Sequence, residues 1–299
     1  MGVILDIMLP FYGRFDHLKA AVESIQAQTD PNWRLVIIDD QYPDPEPGEW
    51  AAAIAAEDSR IEYRRNEKNL RISGNFNESI RLMNAEHAII MGCDDVLLPE
   101  YVTHVRTLIA AHPEAALIQP GVSIIDADGT AVSPLADRIK YRLRPAGTGT
   151  RVASGEELVT GLLRGNWLYF PSLVWRVDEL KKRSFRTDYE VVEDLVMILE
   201  ILEAGGTLLI DEDPIVFHYR RHATSVSSKR GPDGKKFVEE RELFHDAAIR
   251  AEALGWKRAR RTAKIRFTSR ANALTELPGA IRFGSRDAVR SLLRHVFGG

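Results

Sequence analysis

Acidic residues that directly follow apolar runs are the groups in this sequence best placed to do chemistry. Asp94 and Asp95 follow the apolar run 87–91, and Asp40 follows a second run at 34–38. Carboxylates at the end of a buried strand are costly unless a cation or hydrogen-bond donors meet them. Oxygen-rich sites suit Mg²⁺ or Mn²⁺, so Asp94 and Asp95 indicate a metal site serving a phosphate-bearing ligand. A solvated turn that caps the next helix is the alternative.

The elements that must position these carboxylates alternate along the first hundred residues. Four apolar runs predict strands, at 3–9, 34–38, 61–63 and 87–91. Helical segments between them are typical of βαβ units and of a parallel sheet, whose strands all end at the same edge. We therefore expect Tyr12, Asp40 and Asp94 to converge on one crevice that a nucleotide could span.

Composition narrows the class of protein. The chain has 299 residues, 44% hydrophobic and 28% charged, which is ordinary for a globular protein with a large core. A formal net charge of −3 argues against a nucleic-acid binder, and the single cysteine, Cys93, indicates a reducing compartment. No segment reaches the roughly 20 apolar residues of a membrane span. No glycine-rich phosphate loop follows the first strand, which argues against a dehydrogenase and a P-loop enzyme.

The second half of the chain holds another acidic pair. Glu193 and Asp194 open a strongly apolar helix, where the helix dipole alone would favour acids. Segment 137–151 is polar and rich in arginine, and predicts a mobile loop. From residue 235 the chain is expected to be helical. The basic residues between 257 and 294 fit either a solvated helix surface or contact with anionic lipid headgroups or a phosphate-bearing acceptor.

Seven short motifs follow one another in a set order. They are PFYGR at 10–14, SIQAQT at 24–29, VIIDD at 36–40, NLRISGNFN at 69–77, GCDD at 92–95, VED at 192–194 and YRRH at 219–222. Together they resemble the bacterial family 2 glycosyltransferases of the GT-A fold, over roughly residues 3 to 228. GCDD stands where that family carries D-x-D-D, so Gly92 replaces the first aspartate and the metal has fewer ligands.

The resemblance implies an α/β fold of GT-A type, a Rossmann-like and mostly parallel sheet flanked by helices, with a helical C-terminal extension. It implies a catalytic domain at 1–228, with a nucleotide-binding half at 1–98 and an acceptor half at 99–228. The remaining helical region is expected at 235–299.

The resemblance also implies roles for individual residues. Tyr12 would stack on a pyrimidine, and Asp40 would accept a hydrogen bond from the N3–H of uracil or thymine. Mn²⁺ or Mg²⁺ would bind to Asp94, Asp95 and His222. Asp194 would be the general base, with Glu193 beside it. The nucleotide-binding residues would be Pro10, Phe11, Tyr12, Arg14, Asp40, Arg71, Asn77 and Asp94.

The expected activity is inverting transfer of one sugar from a UDP- or dTDP-sugar to a hydroxyl acceptor, a small molecule or a lipid-linked glycan. Two alternatives remain: a nucleotidyltransferase that forms sugar nucleotides, and a non-catalytic homologue that binds a nucleotide-sugar. We expect a cytoplasmic bacterial protein that can make peripheral contact with the inner membrane face and can form a homodimer.

Overall fold

The computed structural model describes residues 4–221 and 235–298. Its strands join in one ten-stranded sheet, in the order β3-β2-β1-β4-β9-β6-β10-β5, with β7 beside β6 and β8 beside β10. The strands are β1 Leu5–Phe11, β2 Trp33–Asp39, β3 Ile61–Arg65, β4 His87–Ile90, β5 Val96–Leu97, β6 Leu117–Ile125, β7 Ala131–Val132, β8 Arg151–Ala153, β9 Val174–Arg176 and β10 Leu208–Arg220.

Helices lie between and after these strands. They are α1 Phe15–Gln26, α2 Glu46–Glu57, α3 Arg71–Leu82, α4 Tyr101–Ala111, α5 Leu135–Leu143, α6 Gly155–Arg164, α7 Val177–Leu180, α8 Glu193–Glu203, α9 Lys235–Ala253, α10 Lys257–Ile265, α11 Phe267–Phe283 and α12 Arg286–Phe297. In the parts of the chain that the structure describes, none of them combines the length and apolar character needed to cross a bilayer.

Both faces of the sheet are covered, which explains the nearly continuous apolar runs of its central strands. Alternate residues of β2 point to opposite sides, so Leu35 and Ile37 join one hydrophobic cluster while Val36 and Ile38 join the other. Helices α1 and α4 cover the first face, and α3, α6 and α8 cover the second. The predicted α/β class with flanking helices is confirmed.

Strands β3, β2, β1 and β4 are mutually parallel, as the alternation of strands and helices predicts. Phe11 pairs with Asp39 in register, and Met91 donates to the carbonyl of Met8, so these strands end at one edge. The second half of the sheet is mixed, because β9 runs antiparallel to both β4 and β6. Asp40 and Asp94 therefore meet at one edge of the sheet.

Two local predictions are wrong. The polar segment 137–151 was expected to be a loop, but its first part lies in helix α5, Leu135–Leu143. Asp137 anchors that helix to the rest of the protein, because it accepts a hydrogen bond from the Tyr169 hydroxyl (3.0 Å) and forms an ion pair with Arg221 (2.8 Å). The apolar residues at 208–210 and 215–219 predict two short strands, but these residues form one irregular strand, β10, because both halves pair with β6 across the bulge.

The C-terminal helices pack onto the α/β core. Leu243 and Phe244 of α9 belong to the same hydrophobic cluster as Leu162 of α6 and Leu199 of α8. The Glu239 carboxylate accepts hydrogen bonds from the backbone of Glu190 and Val191 (3.1 and 2.9 Å), just before α8. Helix α9 thus helps to fix the start of α8, where the Glu193–Asp194 pair stands.

Candidate active site

A cavity of about 860 Å³ opens at the carboxyl ends of β1, β2 and β4. Its wall brings together five of the residues expected at a nucleotide: Pro10, Tyr12, Asp40, Arg71 and Asp94. The other lining residues are Asn69, Ile72, Asn75, Phe76, Ile90, Met91, Gly92, Cys93, Phe170, Pro171 and Glu190. Its size and its mixed apolar and polar lining suit a ligand as large as a nucleotide.

Asp40 is an acid of this cavity that backbone and side-chain donors hold in place. Its side chain is almost fully buried. Its Oδ1 accepts hydrogen bonds from the backbone N–H of Leu70 (2.7 Å) and from the amide of Asn66 (2.8 Å). No described residue donates to Oδ2, so that oxygen is available to a ligand N–H group. The preceding Asp39 stabilises the fold instead, because it accepts hydrogen bonds from the side chains of Tyr63 and Arg65 (2.7 and 2.8 Å).

The end of β1 presents one exposed ring to this cavity. Tyr12 is 54% exposed and meets the edge of Tyr42 at 5.4 Å between ring centroids. Its free face can stack on a base, since aromatic and base rings gain from such contact. Phe11 points the other way, into the core, and packs on Tyr42 at 5.1 Å. Phe11 therefore packs behind the residues that line the cavity and does not itself line the cavity.

Two further residues that were expected to bind the nucleotide, Asn77 and Arg14, do not line this cavity. Asn77 donates to the carbonyl of Phe185 (2.9 Å) and accepts from its N–H (2.7 Å), so it holds the segment before α8. Arg14 is exposed and pairs with Asp16. Arg71 does line the cavity: its side chain is 80% exposed and 3.4 Å from Glu190. Its φ of 61° is uncommon for a residue other than glycine.

The acidic turn after β4 folds around Gly92. Asp94 lines the cavity, whereas Asp95 is buried and its Oδ1 accepts from the backbone N–H of Arg220 (2.8 Å). Arg220 also donates from Nε to the carbonyl of Asp94 (2.7 Å). A Cβ at Gly92 would lie 2.4 Å from Asp95 Oδ2 and 2.9 Å from Asp94 Oδ1. The absence of a side chain at Gly92 thus leaves room for both carboxylates on one side of the turn.

The carboxylates of Asp94 and Asp95 are oxygen ligands of the kind that a divalent cation prefers. Asp95 Oδ2 is buried and has no hydrogen-bond partner in the described ranges. Burial, followed by the charge of Asp94, raises the pKa of Asp95 well above its usual range, so a nearby cation would stabilise the pair. Within 4–221 and 235–298, no three His, Cys, Asp or Glu side chains form a group able to hold a metal ion. The third expected ligand, His222, lies outside the described residues.

A second cavity, of about 490 Å³, adjoins the first and shares the wall formed by Phe170 and Pro171. It lies between the α/β core and the C-terminal helices. From the core it is lined by Lys140, Leu162, Leu163, Gly165, Asn166, Leu168, Tyr169, Val191, Val192, Asp194, Leu195, Tyr219 and Arg221. From the C-terminal helices it is lined by Lys236, Glu240, Leu243, Phe244, Thr268, Ser269 and Asn272.

Asp194 is the carboxylate that the α/β core contributes to the second cavity. One oxygen accepts from the N–H of Leu195 (2.6 Å) and the other receives a long hydrogen bond from Asn166 (3.4 Å). Burial raises the pKa of Asp194, while the hydrogen bond from Leu195 and the charge of Lys140 oppose that rise. A carboxylate with a raised pKa and an oxygen facing a cavity has the properties of a general base.

The neighbouring Glu193 points away from both cavities. Its side chain is buried, and Oε2 has no hydrogen-bond partner among the described residues. Burial, followed by the charge of Asp194, raises the pKa of Glu193 to about 8. Glu193 is therefore largely protonated at neutral pH, and of this acidic pair only Asp194 can accept a proton from a group in the cavity.

Tyr219 connects the two acidic centres. Its ring lines the second cavity and packs on Tyr169 at 5.3 Å. Burial, followed by the charge of Asp95, raises the pKa of Tyr219, and the charges of Asp94 and Asp194 act in the same direction. The acidic turn after β4 and the start of α8 therefore both lie near this tyrosine.

Sequence reasoning missed several lining residues. Asn75 and Phe76 lie within the motif at 69–77, but the motif alone does not show which of its residues face the cavity. Lys140 lies in a segment expected to be a loop, and Lys236 lies in the C-terminal helices, which were expected to be a separate extension. No local pattern marks these two lysines, since only the packing of α5 and α9 brings them to Asp194.

Comparisons with known proteins identify a family and a fold. The family model described as glycosyl transferase family 2 matches residues 6–177, more than half of the chain. An uncharacterized protein of Sinorhizobium fredii is 31% identical over 130 residues, and a protein of Methanocaldococcus jannaschii named as an uncharacterized glycosyltransferase is 23% identical over 128 residues. Each match covers 43% of this chain but only 14% and 44% of those relatives.

Solved structures resemble almost the whole chain. TarS of S. aureus, residues 1–349 in complex with UDP-GlcNAc, superposes with a TM-score of 0.66 over 98% of this chain and 81% of that one. The same protein in complex with UDP gives a TM-score of 0.62. Sequence identity is 13% and 14%, so this likeness shows a shared fold.

Proposed function

The chain belongs to glycosyl transferase family 2, and on that premise we propose that it transfers one sugar from a UDP- or dTDP-sugar to a hydroxyl acceptor, with inversion at the sugar carbon. The observation that carries this proposal is the pair of adjoining cavities. One holds Asp40 and Asp94, the other holds Asp194, and both share the wall of Phe170 and Pro171. A donor and an acceptor could meet across that wall.

In the first cavity, the residues would hold the nucleotide by its base and its diphosphate. Tyr12 would stack on the pyrimidine, and Asp40 Oδ2 would accept the N3–H of uracil or thymine. The structural relative TarS is known in complex with UDP and UDP-GlcNAc, which supports a uridine nucleotide as the ligand here. Arg71 is exposed at the rim, where its guanidinium could reach the diphosphate.

The carboxylates of Asp94 and Asp95 would hold Mn²⁺ or Mg²⁺, together with His222. The ion would neutralise the negative charge that develops on the leaving diphosphate. The fit rests on the buried, unpartnered Oδ2 of Asp95 and on the room that Gly92 leaves for both carboxylates. Arg220 fixes this turn from the protein side, because it bonds to Asp95 and to the carbonyl of Asp94.

In the second cavity, Asp194 would act as the base. The acceptor hydroxyl gives its proton to the carboxylate oxygen that faces the cavity, and its oxygen forms a bond to C1 of the sugar. The bond from C1 to the diphosphate oxygen breaks at the same time, and UDP or dTDP leaves with that electron pair. Attack from the side of Asp194, opposite the diphosphate, inverts the configuration at C1.

The test is UDP release from a panel of UDP-sugars, with water as the acceptor and with Mn²⁺ or a chelator present. We expect Asp194→Asn to slow release at least about 100-fold, the lower range for a general base, with the Kd of UDP unchanged. Asp188→Asn is the matched control, because Asp188 is exposed and pairs with Arg186 just before α8. Unchanged turnover in Asp194→Asn would overturn the base assignment. Binding of UDP or dTDP without release of UDP from any sugar nucleotide would instead favour the non-catalytic homologue that binds a nucleotide-sugar.

A further inference from the structure

Lys140 places a positive charge without a partner in the second cavity. Its ammonium makes no ion pair or hydrogen bond with any residue of 4–221 or 235–298, and it lies 5.1 Å from the ring centroid of Tyr169. Burial, followed by the charge of Arg221, lowers its pKa to about 8. A half-buried ammonium without an anionic partner costs free energy, so a ligand that supplies an anion there would be stabilised.

The other cations of this cavity already have partners. Arg221 forms a two-point contact with Asp137, from Nε to Oδ2 (2.8 Å) and from Nη2 to Oδ1 (2.9 Å). Lys236 lies 3.7 Å from Glu240, one turn later on α9. Of the three cations that line this cavity, Lys140 is therefore the one that forms no ion pair with a described carboxylate.

Asp194 does not bind Lys140 directly. No oxygen of Asp194 lies within ion-pair distance of the ammonium, and its described hydrogen bonds come from Leu195 and Asn166. The two charges still act on each other, because Lys140 opposes the raised pKa of Asp194. They thus face the same space from different elements, α5 and the start of α8, and a small ligand could reach both.

We propose that the acceptor carries a phosphate or carboxylate group near its reactive hydroxyl, and that Lys140 binds this anion while Asp194 faces the hydroxyl. This inference rests on the proposed sugar transfer. A lysine ammonium is a compact charge that suits such an anion. The cavity of about 490 Å³ has room for an acceptor unit of the size of a polyol phosphate or a sugar acid.

The test uses three probes that share a HOCH2–CHOH unit and differ in the group attached to it: glycerol 3-phosphate, glycerate and the uncharged glycerol. Each is titrated calorimetrically into the full chain with UDP present, for wild type, Lys140→Gln, Lys140→Arg and Arg138→Gln. Arg138 is the matched control, since it lies on the same helix but is exposed and does not line the cavity. Circular dichroism confirms that each variant is folded.

We expect one or both anions to bind wild type at millimolar concentration, and at least about tenfold more tightly than glycerol. Lys140→Gln should lose about 10- to 100-fold in affinity for that anion, as expected for a charged hydrogen bond. Lys140→Arg and Arg138→Gln should retain it, and the preferred anion identifies the group as phosphate or carboxylate. Equal binding by Lys140→Gln, no preference over glycerol, or no anion binding to wild type would overturn the proposal.

The Kd of UDP, measured separately on the same variants, separates this inference from the proposed function. UDP should bind equally to all four proteins, because Lys140 does not line the first cavity. If UDP fails to bind while the anion still depends on Lys140, the donor assignment is wrong and the anion site stands. If UDP binds and the anion does not depend on Lys140, the donor assignment stands and the anion site is wrong.

Discussion

Asp40→Asn tests the recognition of the base by changing a single oxygen. The asparagine carbonyl can still accept from the N–H of Leu70 and from Asn66, so the local hydrogen bonds of the loop are preserved. The amide nitrogen replaces Oδ2, the oxygen to which no described residue donates. This nitrogen would face the N3–H of uracil, and two donors would then oppose each other.

The size of the effect follows from the bond that is lost. A hydrogen bond to a charged group contributes about 1.5 to 3 kcal/mol, which corresponds to a rise of about 10- to 150-fold in the Kd of UDP. Cytosine carries an acceptor at N3, so the same substitution should improve the binding of CDP relative to UDP. The expected result is therefore a change of selectivity and not a uniform loss.

The assay is calorimetric titration of UDP and CDP into wild type, Asp40→Asn and Asp44→Asn. Asp44 is exposed on the same loop between β2 and α2, does not line the cavity, and serves as the control. An unchanged Kd for UDP in Asp40→Asn would refute the base contact. An equal loss of UDP and CDP would show that the substitution acts through the fold of the loop.

Three further predictions concern other parts of the structure. Gly92→Ala should displace the carboxylates of Asp94 and Asp95 and abolish the gain in UDP affinity that Mn²⁺ provides; a gain equal to that of wild type would contradict the metal assignment. Glu193→Gln should flatten the pH dependence of the free energy of unfolding. The raised pKa means that the folded state keeps a proton which the unfolded state releases, so wild-type stability falls between about pH 4.5 and pH 8. Leu199→Ala should lower the free energy of unfolding by about 2 to 5 kcal/mol in urea titrations, because the side chain is fully buried; a loss below about 1 kcal/mol would contradict the packing.

The first half of the fold is readable from sequence because its strands are short, continuous apolar runs. Residues 34–38 have no polar residue after Arg34, and both faces of that strand are indeed covered. The shared edge of parallel strands then follows from topology alone, which is why Asp40 and Asp94 could be expected at one cavity. The second half of the fold is harder to predict from sequence, because β9 and β10 form antiparallel pairs with strands that are distant in sequence.

The expected site residues divide according to which way their side chains point. Phe11 and Asn77 lie in motifs that contribute to the first cavity, yet one joins the core and the other holds the backbone of Phe185. A motif indicates the segment, whereas the pleat of a strand or the turn of a helix decides which residue reaches the cavity. Lys140 and Lys236 could not be expected, because they reach Asp194 only through tertiary packing.

A crystal structure of the protein with UDP and Mn²⁺ would test the two-cavity site most directly. We expect the uracil against Tyr12, with its N3 at hydrogen-bond distance from Asp40, and the diphosphate beside Asp94. The second cavity, around Asp194 and Lys140, should be free of nucleotide. A base bound away from Asp40, or a nucleotide bound beside Asp194, would contradict the division of the site into a donor cavity and an acceptor cavity.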